Sequence, residues 1–166
     1  ELKKFFMSKE FIEKLINFCK MLVGNYNLNV VAGNSTCTDG KTIYENFNNP
    51  AYWKSGLSKK EIFYCYVADI LHEYGHLDES CFEIMWAIHK DNWDASFLST
   101  KERLLIEKEV SDYVKGMSQT KRRLLGDMFN IVDDAGMEYN QGIKRGKFVA
   151  MCFRLSNIVT MLHRKP

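Results

Sequence analysis

The chain has 166 residues, of which 46% are hydrophobic, 13% aromatic and 27% charged, and its formal net charge is +2. This composition is typical of an ordinary globular domain and excludes disordered, collagen-like and low-complexity chains. Every apolar stretch falls far short of the ~20 residues that a membrane-spanning helix needs. We therefore expect one soluble domain over residues 1–166, with no membrane-embedded part.

The five cysteines are odd in number and include no CxxC pair. This usage favours reduced thiols over a disulfide framework, and hence a cytoplasmic location. The sequence begins with Glu1 and stops within a helix-like segment, so we expect a piece of a longer protein.

Charge is unevenly distributed along the chain. Residues 115–166 contain ten Lys or Arg against four Asp or Glu. A basic region can approach a polyanion, but basic residues on a helix more often form a solvated face. Nucleic acid is therefore an unlikely partner from sequence alone.

The predicted elements begin with an amphipathic helix over residues 5–23, where apolar residues recur every three or four positions. Three short strands are predicted after Gly24, at 28–32, 36–38 and 41–47. A tight turn at Asp39-Gly40 joins the last two strands into a hairpin.

A capping box at Ser58 and Glu61 predicts that a helix begins near Lys59. Its apolar residues form two adjacent rows in which successive residues are four apart. We expect both rows to be buried: Ile62, Tyr66, Ile70 and Phe63, Val67, Leu71. Further helices are predicted at 79–90, 100–115, 119–142 and 147–163. The fold class is thus α+β and mostly α, with a small hairpin or sheet packed on a helical bundle that carries the buried helix.

The segment His72-Glu73-Tyr74-Gly75-His76 is an HExxH motif within that helix. Residues four apart lie one turn apart on the same face, so both imidazoles can reach one zinc ion. Glu73 is placed beside the metal rather than on it, where a carboxylate can act as general base towards a metal-activated water. We interpret His72 and His76 as zinc ligands and Glu73 as the catalytic base.

A catalytic zinc normally takes three protein ligands. His89 and His163 are poorer candidates than the apolar segment 128–138, in which adjacent acids would be unfavourable without a partner. Asp134 and Glu138 are four residues apart there. We assign Asp134 as the third ligand, and Glu138 and Asp133 to hydrogen bonds around the ligands. Asp133 or Glu138 as the ligand, and a merely solvated acidic face, remain open alternatives.

These motifs together resemble a known family. The run Thr38-Asp39-Gly40-Lys41-Thr42-Ile43-Tyr44, the HExxH motif and the Asn-x-x-acid-Asp-x-x-x-Glu segment from Asn130 to Glu138 occur in this order. They are similar to zinc-peptidase-like domains found beside von Willebrand factor A domains, of the cobaltochelatase T-subunit type of bacteria and phages. The resemblance implies a zincin-like fold, a glutamate or aspartate as third ligand, and a von Willebrand factor A module in the full-length chain.

The strand over 41–47 gains a possible role from this resemblance. In zincins an edge strand lies above the metal and pairs with an extended peptide substrate. Thr42, Ile43 and Tyr44 are the substrate-strand candidates. Alternation along the strand predicts one exposed and one buried face: Thr42, Tyr44 and Asn46 against Ile43, Glu45 and Phe47.

The function expected from the sequence is zinc-dependent hydrolysis of a peptide bond in a peptide or protein substrate. The alternative is a zinc-binding scaffold domain of low or no activity, within a von Willebrand factor or ATPase-type complex. Glu73 favours the hydrolase, because a structural zinc needs no general base.

Overall fold

A computed structural model of the chain describes residues 1–54, 56–79, 84, 87–88 and 101–163. Over these residues the fold is α+β and mostly helical, with a three-stranded sheet, which confirms the predicted fold class. The chain divides into one unit of Glu1–Asp78 with Met137–Pro166 and a second unit of Glu79–Gly136. The single domain over residues 1–166 stays a prediction.

The described helices are α1 Leu2–Phe6, α2 Lys9–Val23, α3 Pro50–Lys54, α4 Lys59–Glu79, α5 Lys101–Val114, α6 Gln119–Arg145 and α7 Lys147–His163. The strands are β1 Asn29–Ala32, β2 Cys37–Thr38 and β3 Thr42–Glu45. The helices predicted to begin near residues 59, 100, 119 and 147 are confirmed. Most of the predicted helix 79–90 and the connection 91–99 lie outside the described residues.

The N-terminal helix differs from the prediction, because residues 5–23 belong to two helices rather than one. Ser8 separates them with an extended backbone, and its Oγ accepts a hydrogen bond from the Phe11 N–H, which caps α2. At the other end Gly24 adopts a left-handed φ of 69° and ends α2.

The sheet has the order β1-β3-β2, with β1 parallel and β2 antiparallel to β3. The predicted hairpin of β2 and β3 is confirmed, as is the alternation that buries Ile43, Glu45 and Phe47. The prediction that the strand carrying Thr42, Ile43 and Tyr44 lies at a sheet edge is wrong.

The reason is the parallel partner strand. Ile43 pairs with Val30 on one side and Thr38 on the other, and Tyr44 pairs with Val31 and Cys37. The third candidate, Thr42, faces Asn29 in the same parallel register. A central strand has its backbone groups engaged on both sides, so β3 offers no free edge to an extended peptide.

Helix α4 runs through the core of the first unit. Its capping box forms as predicted, because the Ser58 N–H donates to Glu61 Oε2 at 2.8 Å and the Glu61 N–H donates to Ser58 Oγ at 3.3 Å. Tyr66 is fully buried and donates to the Phe47 carbonyl at 2.8 Å. Four further rings surround it: Phe6, Phe47, Tyr52 and Trp53. Burial of this helix fixes the direction in which its motif faces.

Two glycines bring helices close together within the first unit. A Cβ built on Gly75 of α4 would lie only 1.9 Å from Met137 Sδ on α6. A Cβ built on Gly142 of α6 would lie 3.3 Å from the Ala150 Cβ on α7. The C-terminal part of α6 therefore lies close to the motif-bearing part of α4 and to the beginning of α7.

In the second unit, α5 ends at a turn in which the Met117 N–H donates to the Val114 carbonyl at 3.0 Å. Gly116 takes a φ of 86° in this turn. The Lys121 N–H donates to Ser118 Oγ at 3.4 Å, at the point where α6 begins.

No described helix is both long enough and apolar enough to cross a bilayer. Among the described residues, Cys19, Cys37, Cys65 and Cys152 are free thiols, as their spacing predicted. Cys81 lies outside the described residues.

Candidate metal centre

Helix α4 presents the motif at the end of its buried stretch. Glu73 is 8% exposed, whereas the His72 side chain is 25% exposed. A helix that is buried along most of its length has little freedom to rotate. The burial of α4 thus fixes the face of the helix on which the motif residues lie.

The two histidines face each other across one helical turn. Nε2 of His72 lies 3.1 Å from Nε2 of His76, and the ring planes are 85° apart. Two nitrogens that bind one tetrahedral zinc at 2.0–2.1 Å lie about 3.3 Å apart. The spacing found here is therefore close to the one that a shared zinc ion requires.

The other ring nitrogen of His72 is held by a carboxylate. Glu138 Oε1, from α6, lies 3.0 Å from His72 Nδ1. An ionised carboxylate only accepts hydrogen bonds, so Nδ1 carries the proton and Nε2 keeps its lone pair towards His76. This is the arrangement in which a carboxylate orients a metal-binding histidine and raises its basicity. The contact of Glu138 with His72 agrees with the hydrogen bond expected from the sequence, and its role beside a metal stays a prediction.

Asp134 lies on the same helix, α6, one turn before Glu138. Its Oδ2 accepts a hydrogen bond from Asn130 Nδ2 at 3.1 Å. Asp134 belongs to the second unit, whereas His72 and His76 belong to the first. The assignment of Asp134 as the third ligand beside the two histidines therefore stays a prediction.

The remaining predicted site residues have different outcomes. Asp133 is half-buried, and its place in the hydrogen bonds around the ligands stays a prediction. Thr42, Ile43 and Tyr44 lie on the central strand, as corrected above. His89 and the His163 side chain lie outside the described residues.

Sequence reasoning gave no site role to two carboxylates of the first unit, the half-buried Asp69 and the buried Glu45. Asp69, one turn before Glu73 on α4, accepts hydrogen bonds from the hydroxyls of Tyr52 and Ser156. Burial raises the pKa of Asp69 to about 6, although these two hydroxyls and the nearby His72 oppose the shift. The sequence signal that could have drawn attention to Asp69 is an acidic residue within the otherwise apolar stretch 62–71.

Glu45, at the end of β3, is fully buried. Its Oε1 accepts from Thr36 Oγ1 at 3.4 Å, whereas its Oε2 has no hydrogen-bond partner among the described residues. Burial raises the pKa of Glu45 well above its ordinary value, and the charges of Asp69 and Glu73 raise it further. Ionisation of Glu45 is therefore disfavoured by burial, and more so while Asp69 and Glu73 carry charge.

Comparison with protein-family models, with curated proteins and with solved structures finds no match to this chain.

Proposed function

We propose that the protein is a zinc-dependent hydrolase that cleaves peptide bonds, with Glu73 as general base. The proposal is carried by the 3.1 Å distance between the Nε2 atoms of His72 and His76. In addition, Glu138 bonds the other ring nitrogen of His72. Two imidazoles held this way would supply two of the four ligands of a tetrahedral zinc ion. Asp134 is the proposed third ligand, which leaves the fourth position for water.

A zinc ion held by these residues would lower the pKa of a bound water towards ~7 and polarise a substrate carbonyl. Glu73 is buried and follows His72 directly in the sequence. Its proposed role is that of the base that would accept the proton of the attacking water and return it to the leaving amine. Glu138 keeps the His72 ring in the orientation and tautomer that metal binding requires.

A zincin-like arrangement and an intact peptide as substrate are part of this proposal. Since β3 is central, an extended substrate would have to pair with an edge strand, β1 or β2, or bind without strand pairing. Of the two, β1 is the longer, with four residues against two.

The experiment compares wild-type protein with Glu73→Gln on a peptide library read by mass spectrometry. Glu73→Gln keeps the shape of the side chain but removes its basicity, so zinc content stays while cleavage falls by about 10²–10⁴-fold. A chelator-treated sample is the matched metal-free control. Wild-type protein that binds zinc and cleaves nothing in the library would favour the scaffold alternative, and a variant with full activity would remove Glu73 from the mechanism.

A further inference from the structure

Helix α7 carries two adjacent polar residues, Ser156 and Asn157, each of which bonds a carboxylate of another helix. Asn157 Nδ2 donates to Glu138 Oε2 at 2.8 Å, and Ser156 Oγ donates to Asp69 Oδ1 at 3.2 Å. Since a carboxylate accepts only, the amide of Asn157 must present its NH₂ group to Glu138. No sequence motif singled out Asn157.

Both carboxylate oxygens of Glu138 are engaged as a result. Oε1 faces His72 Nδ1 at 3.0 Å and Oε2 faces Asn157 at 2.8 Å. The terminal torsion of a glutamate is broad and poorly fixed on its own. A donor on Oε2 restricts that torsion, and it thereby keeps Oε1 directed at the histidine.

We propose that Asn157 is a positioning residue of the metal centre, which acts through Glu138 to fix the ring orientation and tautomer of His72. The inference rests on the proposed function, because it assumes that Nε2 of His72 binds the metal. The hydrogen bond of Asn157 goes to Glu138, which is not one of the proposed ligands. Its contribution is a series of two hydrogen bonds that runs from α7 through α6 to α4.

The test is a double-mutant cycle on zinc affinity, measured on the purified chain by competition with a chromophoric chelator. Glu138→Ala weakens zinc binding by about 10–100-fold, as loss of a ligand-orienting partner does. Asn157→Leu, one step further from the metal, weakens it by about 3–10-fold. The double variant matches Glu138→Ala alone to within about twofold, because Asn157 has no route to the metal once Glu138 is gone.

Ser156→Ala is the matched control, since it removes the neighbouring α7 hydrogen bond without touching Glu138. It leaves zinc affinity within about twofold of wild type, even where it lowers stability by about 1 kcal/mol. Two results would overturn the inference: an Asn157→Leu variant with wild-type affinity, or an Asn157 effect that adds in full to that of Glu138→Ala.

A metal-free measurement separates this inference from the proposed function. Long-range ¹H–¹⁵N NMR of the apo protein reports the His72 tautomer directly. Wild type and Ser156→Ala show Nδ1–H, whereas Asn157→Leu shows a mixture of the two tautomers. An unchanged tautomer in Asn157→Leu refutes the positioning role whether or not zinc binds, and wild-type protein that shows Nδ1–H but takes up no zinc refutes the proposed function alone.

Discussion

Asp134 is the residue proposed to complete the ligand set, and Asp133 and Glu138 are its acidic neighbours on α6. We predict that Asp134→Ala lowers zinc affinity most, Glu138→Ala by about 10–100-fold, and Asp133→Ala least. The reason is that a direct metal bond is lost in the first variant and only an orienting hydrogen bond in the second. Chelator competition on the three variants gives the order. If Asp133→Ala or Glu138→Ala stripped the metal while Asp134→Ala kept it, the ligand would have to be reassigned.

Glu45 gives a prediction about pH. Its pKa in the folded protein lies well above its ordinary value near 4.5, so the folded state binds more protons than the unfolded state between those two values. Stability therefore falls as pH rises through this window. Glu45→Gln cannot ionise, so in metal-free protein it should raise the Tm relative to wild type, by more at pH 8 than at pH 5.

Glu61 is a control of opposite sign for that measurement. Hydrogen bonds from Ser58 lower the pKa of this exposed capping residue, so its contribution to stability is present above its ordinary pKa and is lost as pH falls. Glu61→Gln should therefore lower the Tm relative to wild type by a similar amount at pH 5 and pH 8, because both lie above the ordinary glutamate pKa near 4.5. A Glu45→Gln effect that is the same at both pH values would contradict the raised pKa of Glu45.

At the residue scale, the sequence predicts those site residues whose spacing carries the information. His72, Glu73 and His76 follow from a four-residue spacing, and Glu138 follows from its distance to Asp134. Asn157 has no such signal, because its hydrogen bond depends on how α7 packs against α6. Glu45 was placed on the buried face by strand alternation, but its proximity to Glu73 depends on how the sheet packs under α4.

Gly75 is the element-scale feature on which the approach of α6 to α4 depends. Gly75→Ala places a methyl group where Met137 lies, which overpacks the contact and costs about 1–3 kcal/mol. Part of this loss is offset by the better helix propensity of alanine, about 1 kcal/mol. We predict a net loss of stability, measured by unfolding, and a weaker zinc affinity, measured by chelator competition.

Gly136 is the matched control on the same pair of helices, since a Cβ there meets nothing within 4 Å. Gly136→Ala should be neutral or stabilising, because only the propensity gain remains. Met137→Ala opens space for the added methyl, so the Gly75→Ala, Met137→Ala double variant should lose less than the sum of the single losses. Strict additivity would show that the two residues do not share one contact.

Elements were predicted well where the signal is local and less well where it is not. The capping box at Ser58 located the start of α4, and the Asp39-Gly40 turn located the hairpin. The place of β3 within the sheet could not be found in this way. The central position of β3 results from its parallel pairing with β1. A local sequence pattern does not indicate which strand becomes central.

At the scale of the whole molecule, the first unit has its core around α4, and the same helix carries the HExxH motif. A ligand that binds only the folded state stabilises it by an amount that grows with ligand concentration over Kd. Zinc binding should therefore raise the Tm of the protein as well as enable chemistry. Composition and apolar periodicity predicted the helical core, whereas the two-unit division depends on contacts that a sequence does not show.

Zinc binding by the purified chain tests the central claim most directly. Elemental analysis and titration of wild-type protein, with His72→Ala and His76→Ala as matched variants, measure whether the paired imidazoles hold a metal. We predict about one zinc per wild-type chain, removable by chelator, and loss of that zinc in either variant. Wild-type protein that carries no zinc and takes up none at micromolar free metal would contradict the metal centre and the function built on it.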